Sequence, residues 1–217
     1  MFRILLADDH TIIRDGIRSL LEEEEDFDVI GEAEDGLSTV EMAREMKPDI
    51  VVMDVSMPDL NGVEATRQIV SQAPGVRVIG LSVHNDQRTV SEMLKAGACG
   101  YLLKDCAFKE LARAIRVVME SHAYLSPEVA GDVIQQYVNR DSPASRSSAY
   151  AELTPREREV LQLLAEGHGP REVGARLHIS VKTVQTHRQH IMDKLEIDNL
   201  ADLTKYAIRE GLTSLEM

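Results

Sequence analysis

One short apolar segment that ends on an aspartate constrains the fold of this chain most strongly. Residues 50–53 are Ile-Val-Val-Met, and Asp54 follows them directly. So short and so apolar a segment predicts a strand that is covered on both faces. Pro58 and the pair Asn61-Gly62 interrupt it. We therefore expect Asp54 at the carboxyl end of a buried parallel strand, where ligands and chemistry collect in open α/β sheets. Taken alone, the segment equally allows an aspartate that caps a loop.

Three further apolar segments also end on polar side chains. They are residues 2–7 before Asp8-Asp9, residues 76–81 before Ser82, and residues 100–103 before Lys104. Carboxyl ends of parallel strands meet at one edge of a sheet, so these side chains should lie together with Asp54. Clustered carboxylates raise each other's pKa unless a cation joins them, and Mg²⁺ suits oxygen ligands. A hydroxyl and an ammonium group beside them suit the oxygens of a phosphoryl group.

Helical periodicity separates the predicted strands, of which the second is residues 29–33. The predicted helices are residues 11–21, 37–46, 61–72, 86–96 and 108–119. Five strands that alternate with five helices predict an α/β fold with a doubly wound, five-stranded parallel sheet. The flavodoxin-like strand order 2-1-3-4-5 fits the length and places Asp8, Asp9 and Asp54 side by side.

A second, all-α domain follows a linker. Ser126-Pro127 begins a connecting helix that extends to about residue 138, and residues 139–151 are rich in serine and alanine. Thr154 and Glu157 form a capping box at the start of the next helix. Residues 178–180 join two further helices in a spacing that suggests a helix-turn-helix.

Taken together, these motifs resemble two known domains. The order Asp-Asp, Asp54, Ser82 and Lys104 resembles the receiver domain of two-component response regulators over residues 1–121. The segments LTPREREVL (153–161) and ISVKTVQTHR (179–188) resemble the LuxR-type DNA-binding domain. The chain is thus similar to NarL/FixJ-family response regulators, with a receiver at 1–121, a connecting helix and linker at 122–151 and a helix-turn-helix domain at 152–217.

The resemblance implies specific roles at the receiver site. Asp54 is the expected phosphoacceptor, and its donor is a sensor histidine kinase. The expected Mg²⁺ ligands are Asp9, Asp54 and the carbonyl of Ser56, with Asp8 assisting.

The other expected receiver roles concern the phosphoryl group and the switch. Ser82 and Lys104 are expected to contact phosphoryl oxygens and, with Asp8 and Asp9, to form the catalytic set. Ser82 and Tyr101 are the expected switch pair.

Residues 181–195 are the expected recognition helix. With Val184 toward the core, one polar face points outward and should enter the major groove of double-stranded DNA. The expected contacts are Lys182, Thr183, Gln185, Thr186, Arg188 and Gln189. Glutamine can pair with adenine, and lysine suits phosphate. For His187 we favour a hydrogen-bonded core position.

Composition limits the classes of protein to which this chain can belong. The net charge is −13, which argues against nucleic acid, but residues 171–194 hold five basic and two acidic residues. No apolar segment approaches the ~20 residues of a membrane span, and no secretory signal is seen. Cys99 and Cys106 lack metal or disulfide spacing. We therefore expect a cytoplasmic protein that is not bound to membranes.

The sequence also departs from the LuxR-type pattern at one place. Gly167-His168-Gly169-Pro170 and Gly174 stand where the family usually has Ser/Asn-Lys and Ala. Proline lacks an amide donor and glycine weakens a helix, which puts a phosphate contact from this helix start in doubt.

The predicted function is a phosphorylation-activated transcription regulator, and not an enzyme beyond its own phosphorylation chemistry. RNA polymerase is a candidate partner. Pairing into a homodimer is expected through surface near Ile13, Ile17, Leu111 and Ile115. His84 is expected to affect the lifetime of the phosphoryl group. The alternatives are a phosphorylation-independent binding module and an aspartyl-phosphate phosphatase.

Overall fold

The computed structural model describes residues 1–83, 86–138 and 149–213. It divides the chain into two compact units, Met1–Asp141 and Ser142–Met217. No helix within those described ranges has the length and apolar character that a membrane span requires.

The first unit contains a parallel sheet with strand order β2-β1-β3-β4-β5-β6. The strands are β1 (Phe2–Ala7), β2 (Phe27–Ala33), β3 (Ile50–Asp54), β4 (Arg77–Ser82), β5 (Gly100–Leu103) and β6 (Tyr124–Leu125). The predicted α/β fold and the order 2-1-3-4-5 are confirmed. The sheet has one strand more than predicted, because two-residue β6, which pairs with Gly100 and Tyr101, is too short to show a periodicity.

Among residues 1–83 and 86–138, six helices accompany this sheet. They are α1 (Thr11–Glu22), α2 (Gly36–Met46), α3 (Gly62–Gln72), α4 (Gln87–Ala96), α5 (Lys104–Met119) and α6 (Pro127–Val138). Side chains of Asp35, Asn61 and Asp86 cap α2, α3 and α4 by accepting hydrogen bonds from backbone N–H groups. Helix α5 begins at Lys104, four residues before the predicted start, because its first turn is polar or small and carries no apolar period.

Both faces of the sheet are covered, which explains the continuous apolar segments. Along β1, Ile4 and Leu6 belong to one hydrophobic cluster, whereas Leu5 and Ala7 belong to the cluster on the other face. Every residue of β3 is buried, including Asp54 at its end. The central strands β1 and β3 therefore hold the acidic side chains rigidly at one edge.

Helix α6 packs against α4 and β5. Val129 is fully buried and belongs to the same cluster as Met93 and Tyr101, and Val133 packs on that cluster. The N–H of Ser126 donates a hydrogen bond to the carbonyl of Tyr101 at 3.1 Å. The connecting helix is thus fixed to the strand that carries the predicted switch tyrosine.

The second unit is helical. After a short 3-10 helix (Ala149–Glu152) it consists of α7 (Pro155–Ala165), α8 (Pro170–Arg176), α9 (Val181–Leu195) and α10 (Leu200–Arg209). The predicted capping box of Thr154 and Glu157 is present at the start of α7. Val160, Val184 and Leu203, from three different helices, are all fully buried. Helices α8 and α9 form the helix-turn-helix.

The structure explains why residue 174 is a glycine, which the sequence alone did not. A Cβ atom at this position would lie 2.8 Å from the carbonyl oxygen of Ile179. The N–H of Ile179 also donates to the carbonyl of Gly174 at 2.9 Å. The turn between α8 and α9 therefore approaches α8 closely, and this approach offsets the low helix propensity of glycine.

Candidate functional site

Asp8 and Asp54 lie side by side because β1 and β3 are neighbours in register, with Ala7 opposite Met53. Both aspartates are only 2% exposed. The Nζ atom of Lys104 lies 2.7 Å from Oδ2 of Asp8 and 2.9 Å from Oδ2 of Asp54. The N–H of Ser56 donates to Oδ1 of Asp54 at 3.3 Å. Two carboxylates from two strands thus share one ammonium group.

This arrangement shifts the pKa values of Asp54 and Lys104. Burial raises the pKa of Asp54 to about 6, and the negative charge of Asp8 acts in the same direction while Lys104 opposes it. Burial disfavours the Lys104 ammonium group, but attraction by Asp54 and hydrogen bonds to both aspartates hold the pKa of Lys104 above its usual value. One ammonium group therefore does not fully compensate the buried carboxylates.

Asp9 and His10 complete the acidic cluster at its exposed side. Nδ1 of His10 lies 2.7 Å from Oδ1 of Asp9 and 3.4 Å from Oδ1 of Asp8. Asp8, Asp9, His10 and Asp54 each offer a ligand atom, and these atoms all lie within 4.8 Å of one another. Three carboxylates against one ammonium group leave an excess of negative charge that fits a divalent cation.

Arg14, which no sequence pattern indicated, supports this cluster from α1. Its buried guanidinium donates to the carbonyl of Asp8 at 2.6 Å and to Oε2 of Glu32 at 2.8 Å. It also reaches Glu34. An arginine three residues after the start of α1 looks like an ordinary surface residue in the sequence, because its partner is a backbone carbonyl.

Ser82 and Tyr101 meet between β4 and β5. Ser82 ends β4 and is buried, and Tyr101 is fully buried and hydrogen-bonded to Ser82. Burial raises the pKa of Tyr101 to about 12, so the phenol is neutral at ordinary pH. The tyrosine therefore points inward in this structure. Ser56 is exposed at the mouth of the site. His84 lies outside the described residues.

Helix α9 presents a polar outer face in the second unit. Val184 and Ile191 are fully buried, whereas the side chains on the opposite side are exposed. The exposed ones are Lys182, Gln185, Thr186, Gln189 and His190. Val184 thus faces the core, as the periodicity predicted.

Three residues near this face are half-buried. Thr183 is half-buried, and its hydroxyl lies 2.8 Å from that of Ser180, whose side chain caps the helix. Arg188 is half-buried. His187 is half-buried too, and its Nδ1 atom has no hydrogen-bond partner in the described part of the chain. Nδ1 of His187 therefore does not make the predicted hydrogen bond.

A partly buried ion pair anchors α9 to α7. Nζ of Lys194 lies 2.6 Å from Oε2 of Glu157, which also accepts from the N–H of Thr154 at 2.8 Å. Burial opposes ionisation of Glu157, but the bonds from Lys194 and Thr154 lower the pKa of this carboxyl overall. Lys194 is thus engaged within the fold, while Lys182 remains available at the outer face.

The doubly wound sheet with its buried aspartates and the helix-turn-helix define a class of protein, the two-domain response regulators. Residues 4–116 match the response regulator receiver domain, and residues 151–207 match the bacterial regulatory proteins of the luxR family.

Curated relatives cover almost the whole chain. The transcriptional regulatory protein DegU of Brevibacillus brevis is 38% identical over 221 residues, which cover 96% of this chain and 94% of DegU. The response regulator UvrY of Escherichia coli K12 is 36% identical over 216 residues, with 100% and 98% coverage. The chain belongs to the NarL/FixJ family of two-component response regulators, which are DNA-binding transcription regulators rather than conventional enzymes.

Solved structures agree with this assignment. RcsB of Salmonella enterica serovar Typhimurium, bound to a promoter in the presence of a phosphomimetic, is 26% identical with a TM-score of 0.61. The comparison covers 98% of this chain and 99% of that one. An RcsB–DNA complex is 27% identical with a TM-score of 0.59, with coverage of 94% and 96%.

Proposed function

We propose that Asp54 accepts a phosphoryl group from a sensor histidine kinase and that this event controls DNA binding by α9. The observation that carries the proposal is the placement of Asp54. It is a buried carboxylate with a raised pKa at the end of a central strand, held between Asp8 and Lys104. Such a group serves as a nucleophile when cations offset its charge.

The chemistry follows from the groups around Asp54. One carboxylate oxygen attacks the phosphorus atom, and the bond from phosphorus to the donor's imidazole nitrogen breaks. The leaving imidazole keeps the bonding electrons, and it leaves as the neutral ring because its other nitrogen carries a proton. Lys104, within 3 Å of the nucleophile, supplies positive charge to the phosphoryl oxygens, and the Ser82 hydroxyl donates a hydrogen bond to them.

The acidic cluster fits Mg²⁺. Asp9, Asp54 and the carbonyl of Ser56 would hold the ion, with Asp8 assisting. When bound, Mg²⁺ neutralises charge between the nucleophile and the phosphoryl oxygens. The excess of carboxylates over ammonium groups in the pocket supports this assignment.

The output is binding to double-stranded DNA in the cytoplasm. The exposed polar face of α9 has the size and chemistry of a major-groove surface. Lys182, Gln185, Thr186 and Gln189 are its central contacts, and Thr183 and Arg188 contribute at the edge. The RcsB–DNA complexes support this mode of binding. RNA polymerase remains a candidate partner of the DNA-bound protein.

Ser82 and Tyr101 provide the proposed switch. A phosphoryl group on Asp54 draws the Ser82 hydroxyl away from Tyr101, which breaks their hydrogen bond. Since α6 is fixed to β5 and α4, a change in Tyr101 reaches the connecting helix directly.

Intact-mass measurement with a small phosphodonor tests the proposal. Wild-type protein should gain one phosphoryl group only when Mg²⁺ is present, and Asp54→Asn should gain none. Asp28→Asn is a matched control, since Asp28 is an exposed aspartate on β2 that pairs with Arg3, at the opposite end of the strands from the site. Phosphate on Asp54→Asn, with the asparagine verified by peptide mapping, would show that another residue is the acceptor.

A further inference from the structure

His10 is the feature of this site that the proposed function leaves unused. It precedes the first helical residue of α1, but its side chain makes no capping hydrogen bond. The side chain is 66% exposed, yet its Nδ1 atom points at Asp9 and Asp8 and belongs to the acidic cluster. The short contact with Asp9 therefore sets the orientation of this side chain, whereas helix capping and core packing do not.

The distances around His10 suit a ligand rather than a bystander. Neighbouring ligands about 2.1 Å from an octahedral ion lie about 3 Å from each other. Nδ1 of His10 lies 2.7 Å from the Asp9 oxygen and 3.4 Å from the Asp8 oxygen, on either side of that separation. One ion could thus contact all three groups after small side-chain movements.

An imidazole ligand changes which ion the site prefers. Mg²⁺ takes oxygen ligands almost exclusively, whereas first-row transition ions accept imidazole nitrogen together with carboxylates. The cluster offers three carboxylates and one imidazole within 4.8 Å. This mixed set favours Mn²⁺ over Mg²⁺.

We infer that His10 is a metal-specificity residue, which ligates Mn²⁺ through its imidazole and takes no part in binding Mg²⁺. The inference rests on the proposed function only in using the same cation site. It adds that the receiver discriminates between the two ions by one nitrogen ligand. The protein would then load a different metal as the ratio of the two ions changes.

The test is metal binding to the full chain without a phosphodonor. Isothermal titration should show that His10→Ala weakens Mn²⁺ binding about tenfold or more and leaves Mg²⁺ binding within about twofold. Altering even a residue that only supports a metal ligand costs about 10–100-fold in metal affinity. Electron spin echo envelope modulation of the Mn²⁺ complex should show ¹⁴N coupling in wild type and none in His10→Ala. The lack of a side-chain cap at His10 means that alanine should not disturb α1.

Two control variants test whether the ¹⁴N coupling comes from His10. His122→Ala removes an exposed histidine elsewhere in the same unit, and His84→Ala removes the one that follows Ser82 by two residues. Both should retain the ¹⁴N coupling. Loss of the coupling in His84→Ala but not in His10→Ala would overturn the assignment.

The remaining outcomes separate this inference from the proposed function. If Mn²⁺ binds without ¹⁴N coupling, or if His10→Ala weakens both ions equally, His10 is not a selective ligand while the cation site stands. If neither ion binds to wild type, the cation site itself fails and both proposals fall.

Discussion

At the scale of single residues, Asp54 makes the stability of the protein depend on pH. Its pKa is about 6 in the folded protein, above the 3.8 of an unperturbed aspartate. The folded state therefore holds this proton more strongly than the unfolded chain. The resulting stabilisation is complete below pH 4 and is lost as the pH rises through about 6.

Asp54→Asn should reveal this effect. Without divalent cations, the stability of wild type relative to Asp54→Asn should fall between pH 4 and pH 7 by on the order of 1–3 kcal/mol. Urea unfolding followed by far-UV circular dichroism measures it, since the chain has no tryptophan. The same comparison with Asp28→Asn should show no such trend.

Added Mg²⁺ is the second arm of this experiment. A bound cation offsets the cost of the ionised carboxylate, so the gap between wild type and Asp54→Asn at pH 7 should shift in favour of wild type. Without divalent cations, a difference in unfolding free energy between wild type and Asp54→Asn that stays constant from pH 4 to pH 7 would contradict the raised pKa of Asp54.

At the scale of secondary-structure elements, substitutions in α9 should distinguish recognition of bases from binding to phosphates. Gln185→Ala or Gln189→Ala should cost about 1–3 kcal/mol at one base position, because an amide can pair with two groups of adenine. Lys182→Ala should weaken binding to all sequences alike and reduce the salt dependence. Fluorescence anisotropy with specific and random duplexes at several salt concentrations measures both effects.

Asp193 provides a control within α9. Nε2 of Gln189 donates to Oδ1 of Asp193 at 2.8 Å in the DNA-free protein. Asp193→Asn should therefore affect affinity less than Gln189→Ala, and it removes a negative charge that repels phosphate. Equal losses on specific and random DNA for both glutamine variants would rule out base reading by this face.

The stability of helix α6 should depend on its contact with α4 and β5. Val129 is fully buried against the cluster that holds Tyr101, whereas Ile134 is 63% exposed on the same helix. Val129→Ala leaves a cavity and should destabilise the docked helix by about 1–3 kcal/mol. Ile134→Ala should stay within about 0.5 kcal/mol.

Hydrogen exchange measured by mass spectrometry on peptides from residues 127–138 reports this difference. Faster exchange is expected in Val129→Ala and wild-type exchange in Ile134→Ala. Identical exchange in both variants would mean that α6 does not depend on its contact with α4 and β5.

At the scale of the whole molecule, the predicted dimer surface needs correction. Ile17, Leu111 and Ile115 were expected near an α1–α5 contact, but all three belong to the core. Ile13 is half-buried against the same cluster. The exposed apolar side chain of α1 is Ile12, at 85%. A helix period alone cannot separate these neighbours, because the buried face of α1 is set by where the sheet lies.

Pairing upon phosphorylation should therefore depend on Ile12. Light scattering should show a monomer that becomes a dimer with beryllofluoride, and the dimer should bind adjacent half-sites far more tightly than one unit does. Ile12→Glu should prevent pairing without unfolding the protein. Ile134→Glu, an exposed position on α6, is the control and should pair like wild type. A protein that binds DNA tightly while monomeric would contradict the dimer mechanism.

Local patterns in the sequence were sufficient to predict both folds and to predict that Asp8, Asp54 and Lys104 meet at one edge of the sheet. Apolar segments that end on Asp8, Asp54, Ser82 and Lys104 define strands and their polar ends, and strand order then follows from chain connectivity. Local signals also placed the capping box at Thr154, because capping depends on residues three positions apart.

The other contacts of the site and the burial of its side chains depend on segments that are distant in the sequence. Arg14 and His10 join the acidic cluster through contacts that carry no sequence period, and Gly174 is required by a turn that approaches it in space. Two-residue β6 forms because β5 offers it a free edge. Burial, and with it the raised pKa of Asp54, depends on what covers each side chain, and distant segments supply that cover.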